Sequence, residues 1–362
     1  MELPFEDYSE EHINRVIESH LDPENGTPYW LEKAEEYGGV EKAKEDIDAW
    51  EDLKEVFGLQ IEEKKQEFAG ALRERPYTDF LPQRSIDKIS IVGESGGTTG
   101  KPKKAPFTEN DWEMKIEKYS QYLDEMGVPK GVDWFCLVPS YPPHSAGQMG
   151  QSLAESRGGN ALGIDLDSRA IKEFGKQGME DALNAYMKHM GKQAKELMEY
   201  QDEGVVMTTS KVLEQLPRAI DVSEINLEGI VQGGAAMSKE QYRQFEEVYG
   251  DTPICGSFAT ALTLSTGVQI PDPQNYEVIY LPTRPERNME VVDDKGNPVD
   301  YGERGIVTTS NVTEDFLMPA LREEVKGTLV EPPEVLDDVD WPCVKDIAPE
   351  KVRTEGGKEG VY

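Results

Sequence analysis

The chain has 362 residues, with 71 acidic against 38 basic side chains and a formal net charge of −33. A field of that sign excludes the electrostatic attraction on which nucleic-acid binders and anionic-membrane binders rely, and no run of about 18 apolar residues is present to span a bilayer. The length accommodates two or three compact units. Cys136, Cys255 and Cys343 are widely spaced and form no CxxC, which argues against a disulfide framework or zinc site and for a reducing, cytoplasmic setting. The acidic start Met1-Glu2-Leu3-Pro4-Phe5-Glu6-Asp7 lacks the apolar stretch of a signal peptide.

Residues 1 to about 85 read as an N-terminal helical region. Ile13, Val16 and Ile17 predict a helix over 10–18, and Ile47, Trp50, Leu53 and Phe57 predict another over 41–57. Between them, Asp22 to Trp30 reads as a turn-rich connector. Ile86, Ile89, Ile91 and Val92 then predict a short buried strand that delivers the run Glu94-Ser95-Gly96-Gly97-Thr98-Thr99-Gly100-Lys101-Pro102-Lys103-Lys104. Its glycines let backbone N–H groups converge, its hydroxyls add short donors, and its lysines bring countercharge, which is the chemistry a polyphosphate needs. Spacing excludes a Walker A loop, because Ser95 stands where that motif needs glycine and Pro102 where it needs Ser or Thr.

From 86 to 250 strands and helices alternate. Thr108 is positioned to cap a helix running to Met126, and Trp134 to Val138 reads as a buried strand ending in Pro139-Ser140-Tyr141-Pro142-Pro143-His144. Further on come a helix over 182–200, a strand at Val205-Val206-Met207, another at Ile230-Val231 ending in Gly233-Gly234, and a helix over 238–249. That alternation indicates helix-flanked parallel sheets that bind ligands at the strands' carboxyl ends. From 251 to 362 a β-rich subdomain is expected, with strands at 276–281, 289–292 and 305–309 and a hairpin turn at Asp293 to Asn297.

Gly97-Thr98-Thr99-Gly100-Lys101-Pro102-Lys103 resembles, without a gap, the phosphate-loop signature of the adenylate-forming superfamily of acyl- and aryl-CoA ligases. Gly96 departs from it by replacing the usual serine. Gln232-Gly233-Gly234-Ala235-Ala236-Met237-Ser238, about 135 residues further on, resembles the segment that lays small residues against adenine, although Ser238 also fits an ordinary helix N-cap. The segment with Tyr141 and His144 is similar to the family's acyl-pocket lining. Where the family places Tyr-Gly-x-Thr-Glu, this chain has Cys255-Gly256-Ser257-Phe258-Ala259-Thr260. Ser257 and Thr260 offer hydroxyls there, but the Mg²⁺-holding glutamate has no counterpart, which weakens a Mg²⁺ site. For the ribose-binding carboxylate the resemblance offers Glu323 first and Asp315 second. Phenylacetate-CoA-ligase-like enzymes and the stand-alone adenylating proteins of phenazine biosynthesis share the most of this pattern, and the family's mobile lysine-bearing domain is expected to be absent.

The resemblance implies an α/β adenylate-forming large domain that binds ATP and activates an aryl or related small carboxylic acid as acyl-AMP, handed to a partner reductase or acyltransferase. Lys103 and Thr99 are the expected catalytic contacts, with Ser95, Gly96, Gly97, Thr98, Gly100, Lys101, Gly234, Ala235, Ala236, Ser257, Thr260 and Glu323 around the nucleotide and Tyr141, His144 and Gly256 around the acid. The alternative is a protein that keeps the nucleotide or acid pocket without turnover. The dispersed acidity reads as a surface adapted to high salt, although lysines outnumber arginines 25 to 13 where such a surface is expected to shed lysine. If the acidity is such an adaptation, molar KCl should raise the melting temperature steeply, because the Debye length falls to about 3 Å at 1 M and screens the self-repulsion. A flat or falling melting temperature in KCl would leave the acidity to be explained by a basic partner.

Overall fold

The computed structural model describes residues 1–59, 61–95, 101–139, 144–201, 203–234, 236–272, 274–336 and 338–350. Ser9 Oγ accepts from His12 N at the head of α1 (Glu10–His20), and Ile13, Val16 and Ile17 are buried as their spacing predicts. Pro28, pre-set for a first helical turn, opens α2 (Pro28–Tyr37) inside the stretch expected to be a connector. The helix expected over 41–57 is two, α3 (Val40–Glu45) and α4 (Trp50–Val56). Asp52 Oδ2 accepts the N–H groups of Asp48 and Ala49 and so starts a new helix there. After α5 (Glu62–Glu74) and α6 (Gln83–Ile86), Ile86 closes a helix instead of entering a strand. Strand β1 (Ile89–Glu94) is half-buried, not buried as expected, because it and β2 (Lys104–Thr108) form a small antiparallel sheet of their own.

Thr108 Oγ1 accepts from Asp111 N at 3.2 Å and begins α7 (Glu109–Glu125). Then follow β3 (Trp134–Cys136), α8 (Ser145–Ser156), β4 (Ala161–Gly163), α9 (Ser168–Lys176), α10 (Glu180–Gln201), β5 (Glu203–Thr208), α11 (Ser210–Ala219), β6 (Asn226–Gly233), α12 (Lys239–Tyr249), β7 (Ile254–Thr260) and β8 (Leu264–Ile270). The chain forms two compact units, of which one holds Ile116–Ala259 and Val268–Val278. Within it β4, β3, β5, β6 and β7 lie side by side in that order, all parallel. Trp134, Phe135, Val205, Val206 and Ile230 fill its core. No helix among the described residues is long and apolar enough to cross a membrane.

The other unit joins Met1–Lys115, Thr260–Gly267 and Ile279–Glu350. Its strands β9 (Ile279–Pro282), β10 (Arg287–Val292), β11 (Arg304–Val312), β12 (Leu317–Val330) and β13 (Cys343–Pro349) are ordered β10-β11-β12-β13-β9, all antiparallel. The strand expected at 276–281 starts at Ile279, because Tyr276 takes a positive φ of 58°. The expected turn at Asp293 is present, its Oδ1 accepting from Lys295 N and Asn297 N at 2.8 Å. Trp30 Nε1 donates to Leu317 O at 3.0 Å and ties α2 to β12. His20, fully buried, meets Thr313 O at 2.8 Å through Nε2, and burial pulls its imidazole down to about 4.

Asp111, Lys115 and Arg287 form a buried charge cluster in this unit. One Arg287 guanidinium nitrogen reaches both Asp111 carboxylate oxygens at 2.7 and 2.8 Å, while Arg287 Nε and Lys115 Nζ both donate to Thr263 O. Burial, with Arg287 adding to it, holds the Lys115 ammonium well below its usual range. Removing the carboxylate would leave buried positive charge uncompensated. Asp111→Asn should therefore cost about 3–5 kcal/mol in urea denaturation at pH 7; a loss no larger than that of an exposed control, Asp294→Asn, would show that the pair is dispensable.

Candidate functional site

The lysine-rich loop hangs from the β1–β2 hairpin and is tied at its root. Ser95 N donates to Lys103 O at 3.0 Å, and Lys103 N donates to Ser95 Oγ at 2.9 Å. Gly96, Gly97, Thr98, Thr99 and Gly100 lie outside the described residues. Gly93 sets the hairpin's position, since a Cβ there would stand 2.3 Å from Ala261 O in the β7–β8 turn. That contact brings the loop's root beside the turn that begins at Thr260.

The three lysines of the loop differ in surroundings. Lys101 is exposed and pairs with Glu74 at 2.9 Å, and Lys104 stands 3.7 Å from Glu94. Lys103 is partly buried, and desolvation pulls its ammonium below the usual range against the opposing charge of Glu323. The Glu323 carboxyl accepts from Thr309 Oγ1 at 2.6 Å. It is pushed above the usual carboxylate range chiefly by desolvation, with the hydrogen bond from Thr309 and the charge of Lys103 opposing.

The second ribose candidate, Asp315, has both carboxylate oxygens engaged by hydroxyls, one by Ser85 at 2.5 Å and one by Thr108 at 2.7 Å. It braces α6 and β2. The Thr260 hydroxyl accepts from Leu262 N and Thr263 N at 3.2 Å and meets Thr263 Oγ1 at 2.9 Å, so it shapes its own turn. The 255–260 stretch presents hydroxyls and amides without a carboxylate, a donor set that does not fit Mg²⁺.

The remaining candidates stand in the parallel-sheet unit. Gly233 ends β6 and Gly234 turns with a φ of +80°, a conformation that favours glycine, before Ala236, buried Met237 and Ser238. Ser238 caps α12 reciprocally with Gln241, so the helix-cap reading of that serine holds. Ser257 is buried on β7. Gly256 leaves room for the Gln269 amide, because a Cβ would stand 2.1 Å from Gln269 Oε1. His144 precedes α8, and its Nε2 lies 3.2 Å from the Oγ of fully buried Ser168, the first residue of α9. Tyr141 and Ala235 lie outside the described residues. Sequence reasoning missed Gly93, Thr309, Ser168 and Gln269. A lone glycine in a strand was the one available signal, and it pointed to Gly93.

A scan against protein-family models finds no match, and a search of curated proteins finds none. Among solved structures the chain is similar to 2-hydroxyisobutyryl-CoA ligase in an open conformation with 2-HIB-AMP and CoA, at TM-score 0.63 and 14% identity over 89% of this chain and 69% of that one. The same ligase in its thioesterification state gives TM-score 0.63 and 14% identity, and in its postadenylation state with 2-HIB-AMP 0.61 and 13%, each over 89% of this chain and 63% of that one. The chain thus spans roughly two thirds of the ligase's length. It shares the α/β fold of these ligase structures, with a parallel sheet and a β-rich part, as its sequence leads one to expect.

Because its folded form favours the protonated acid, Glu323 contributes stability fully below its usual value of about 4.5 and loses it as pH rises through the raised value. Glu323→Gln, which keeps an acceptor for Thr309, should raise the melting temperature at pH 7 and leave it unchanged at pH 4. A lower melting temperature at pH 7 would mean that attraction to Lys103 outweighs the burial.

Proposed function

We propose that this protein activates a small carboxylic acid with ATP. One carboxylate oxygen of the acid attacks the α-phosphorus and forms the acyl–phosphate bond. The bond between the α-phosphorus and the bridging oxygen breaks, and pyrophosphate leaves. No proton needs to be removed, since the acid is ionised at neutral pH. The chain's task is then positioning and charge neutralisation. Lys103 faces the β- and γ-phosphates, with the backbone and hydroxyls of 95–100 around them. Glu323 receives the ribose hydroxyls, the Gly233-Gly234-Ala236 turn supports adenine, and His144, held by Ser168, lines the acid site.

The observation that carries this reading is Lys103. It stands at the tied root of the signature loop, partly desolvated and within the field of Glu323, while Lys101 and Lys104 have carboxylates of their own nearby. That the similar ligase structures hold 2-HIB-AMP supports acyl-AMP as the product. Transfer to a reductase or acyltransferase, as for a phenazine-type stand-alone adenylating protein, would complete the chemistry.

A second reading, a nucleotide- or acid-binding protein without turnover, is favoured by one observation. The 255–260 stretch lacks a carboxylate, and its Thr260 hydroxyl is committed to a turn.

Two measurements separate the readings. Lys103→Ala should weaken ATP binding by about 1.5–3 kcal/mol, the worth of a charge-assisted contact, without lowering the melting temperature. ATP–pyrophosphate exchange should appear with some member of a carboxylic-acid panel. Intact ATP binding without exchange by any acid would favour the binding protein, and equal ATP affinity in Lys103→Ala would remove the phosphate role of the loop.

A further inference from the structure

A buried polar row crosses the parallel-sheet unit near the carboxyl ends of its strands. Thr208, near the end of β5, is in register with Gln232 of β6, and Gln232 with Gly256 of β7. β8, next to β7, brings the side chain of Gln269 over the bare Cα of Gly256. Thr208 is 1% exposed and both glutamines 0%. Among the described residues neither Nε2 nor Oε1 of Gln269 has a hydrogen-bond partner. A buried amide in that condition is costly, and a group that both donates and accepts would relieve it.

The location points to a ligand. The row lies one residue before the Gly233-Gly234 turn and Ser257, at the end of a parallel sheet where α/β folds bind small molecules. Gly256 matters as well. Any larger residue would push the Gln269 amide away from this row.

We propose that the Gln269 amide, in one row with Gln232 and Thr208, is the specificity-determining contact for the far end of the acid. It selects acids that carry a hydroxyl or carboxamide there over hydrocarbon acids of the same shape. The inference rests on the acid-activation reading for what enters the site, and it moves the expected substrate from a plain aryl acid to a polar-substituted one. The Oε1 atom accepts from the substituent's O–H or N–H, and Nε2 donates to its oxygen.

Calorimetric titration of the ATP-loaded protein with two isosteric pairs tests it, 4-hydroxybenzoate against 4-methylbenzoate and 3-hydroxybutyrate against 3-methylbutyrate. The parent should bind the hydroxy member of at least one pair about 10-fold more tightly or better, since a site built around a hydrogen bond rejects the analogue lacking it. Gln269→Leu should erase that preference without lowering the melting temperature, because the amide it removes has no internal bond to lose, and Gln269→Met serves if leucine packs badly. Equal or absent binding in both pairs, a preference that survives Gln269→Leu, or a melting temperature several degrees lower in both variants overturns the inference. A hydroxy preference in calorimetry without pyrophosphate exchange sustains it and defeats the adenylation reading, whereas exchange without any preference does the reverse.

Discussion

The buried ion pair between Arg287 and Asp111 is the constraint on which the loop-bearing unit depends. It spans 176 residues of sequence and sits almost wholly out of water. Asp111 lies three residues beyond β2, so the pair anchors the exit of the hairpin that carries the lysine loop. Arg287 opens β10 and also donates through Nε to Thr263 O in the β7–β8 turn. Hairpin, turn and sheet are thereby referred to one charged point. Buried pairs of this kind add little net stability compared with apolar packing, and the cost of removing one partner is what makes them restrictive. Gly93 completes the arrangement, because its missing Cβ lets the hairpin approach Ala261.

Lys103 and Glu323, the proposed phosphate and ribose contacts, lie in the same unit. The bulged pairing of β11 with β12 puts Thr309 opposite Leu321 and still lets its hydroxyl reach Glu323. Lys103 leaves the end of the loop toward the same carboxyl. Burial disfavours the charged form of each, and their mutual attraction opposes that effect. On the proposed reading, an arriving polyanion would disturb this balance. Phosphate would take over the neutralisation of Lys103 and leave Glu323 to hydrogen-bond to neutral hydroxyls.

Local chemistry was legible in the sequence and long-range chemistry was not. Thr108 announced α7, the glycines and lysines of 94–104 announced the loop, and the alternation after residue 130 announced the parallel sheet. The split of 41–57 into two helices depends on Asp52 reaching back to two N–H groups, which an apolar period does not register. β12 stayed hidden because Arg322, Glu323, Glu324 and Lys326 look like a solvated stretch. Pairing with β11 and β13 makes them a strand. Asp315 and Thr260 were offered by their place in the resembling motifs, and the structure finds their oxygens engaged by neighbours. Gln269 carried no signal, since an amide's missing partner exists only in three dimensions.

If a protein with a net charge of −33 binds ATP, as proposed, the reason has to be local. At physiological ionic strength the Debye length is about 8 Å, so exposed carboxylates beyond that reach scarcely act on a bound phosphate. Within it the balance is set by few groups. Glu74 and Glu94 hold the exposed Lys101 and Lys104 and mask their charge. Lys103 is partly desolvated, and the carboxyl of Glu323 is the opposing charge nearest to it in effect. On the proposed reading, the partly desolvated Lys103, and not the exposed Lys101 and Lys104 with carboxylates beside them, would be the contact that decides phosphate binding.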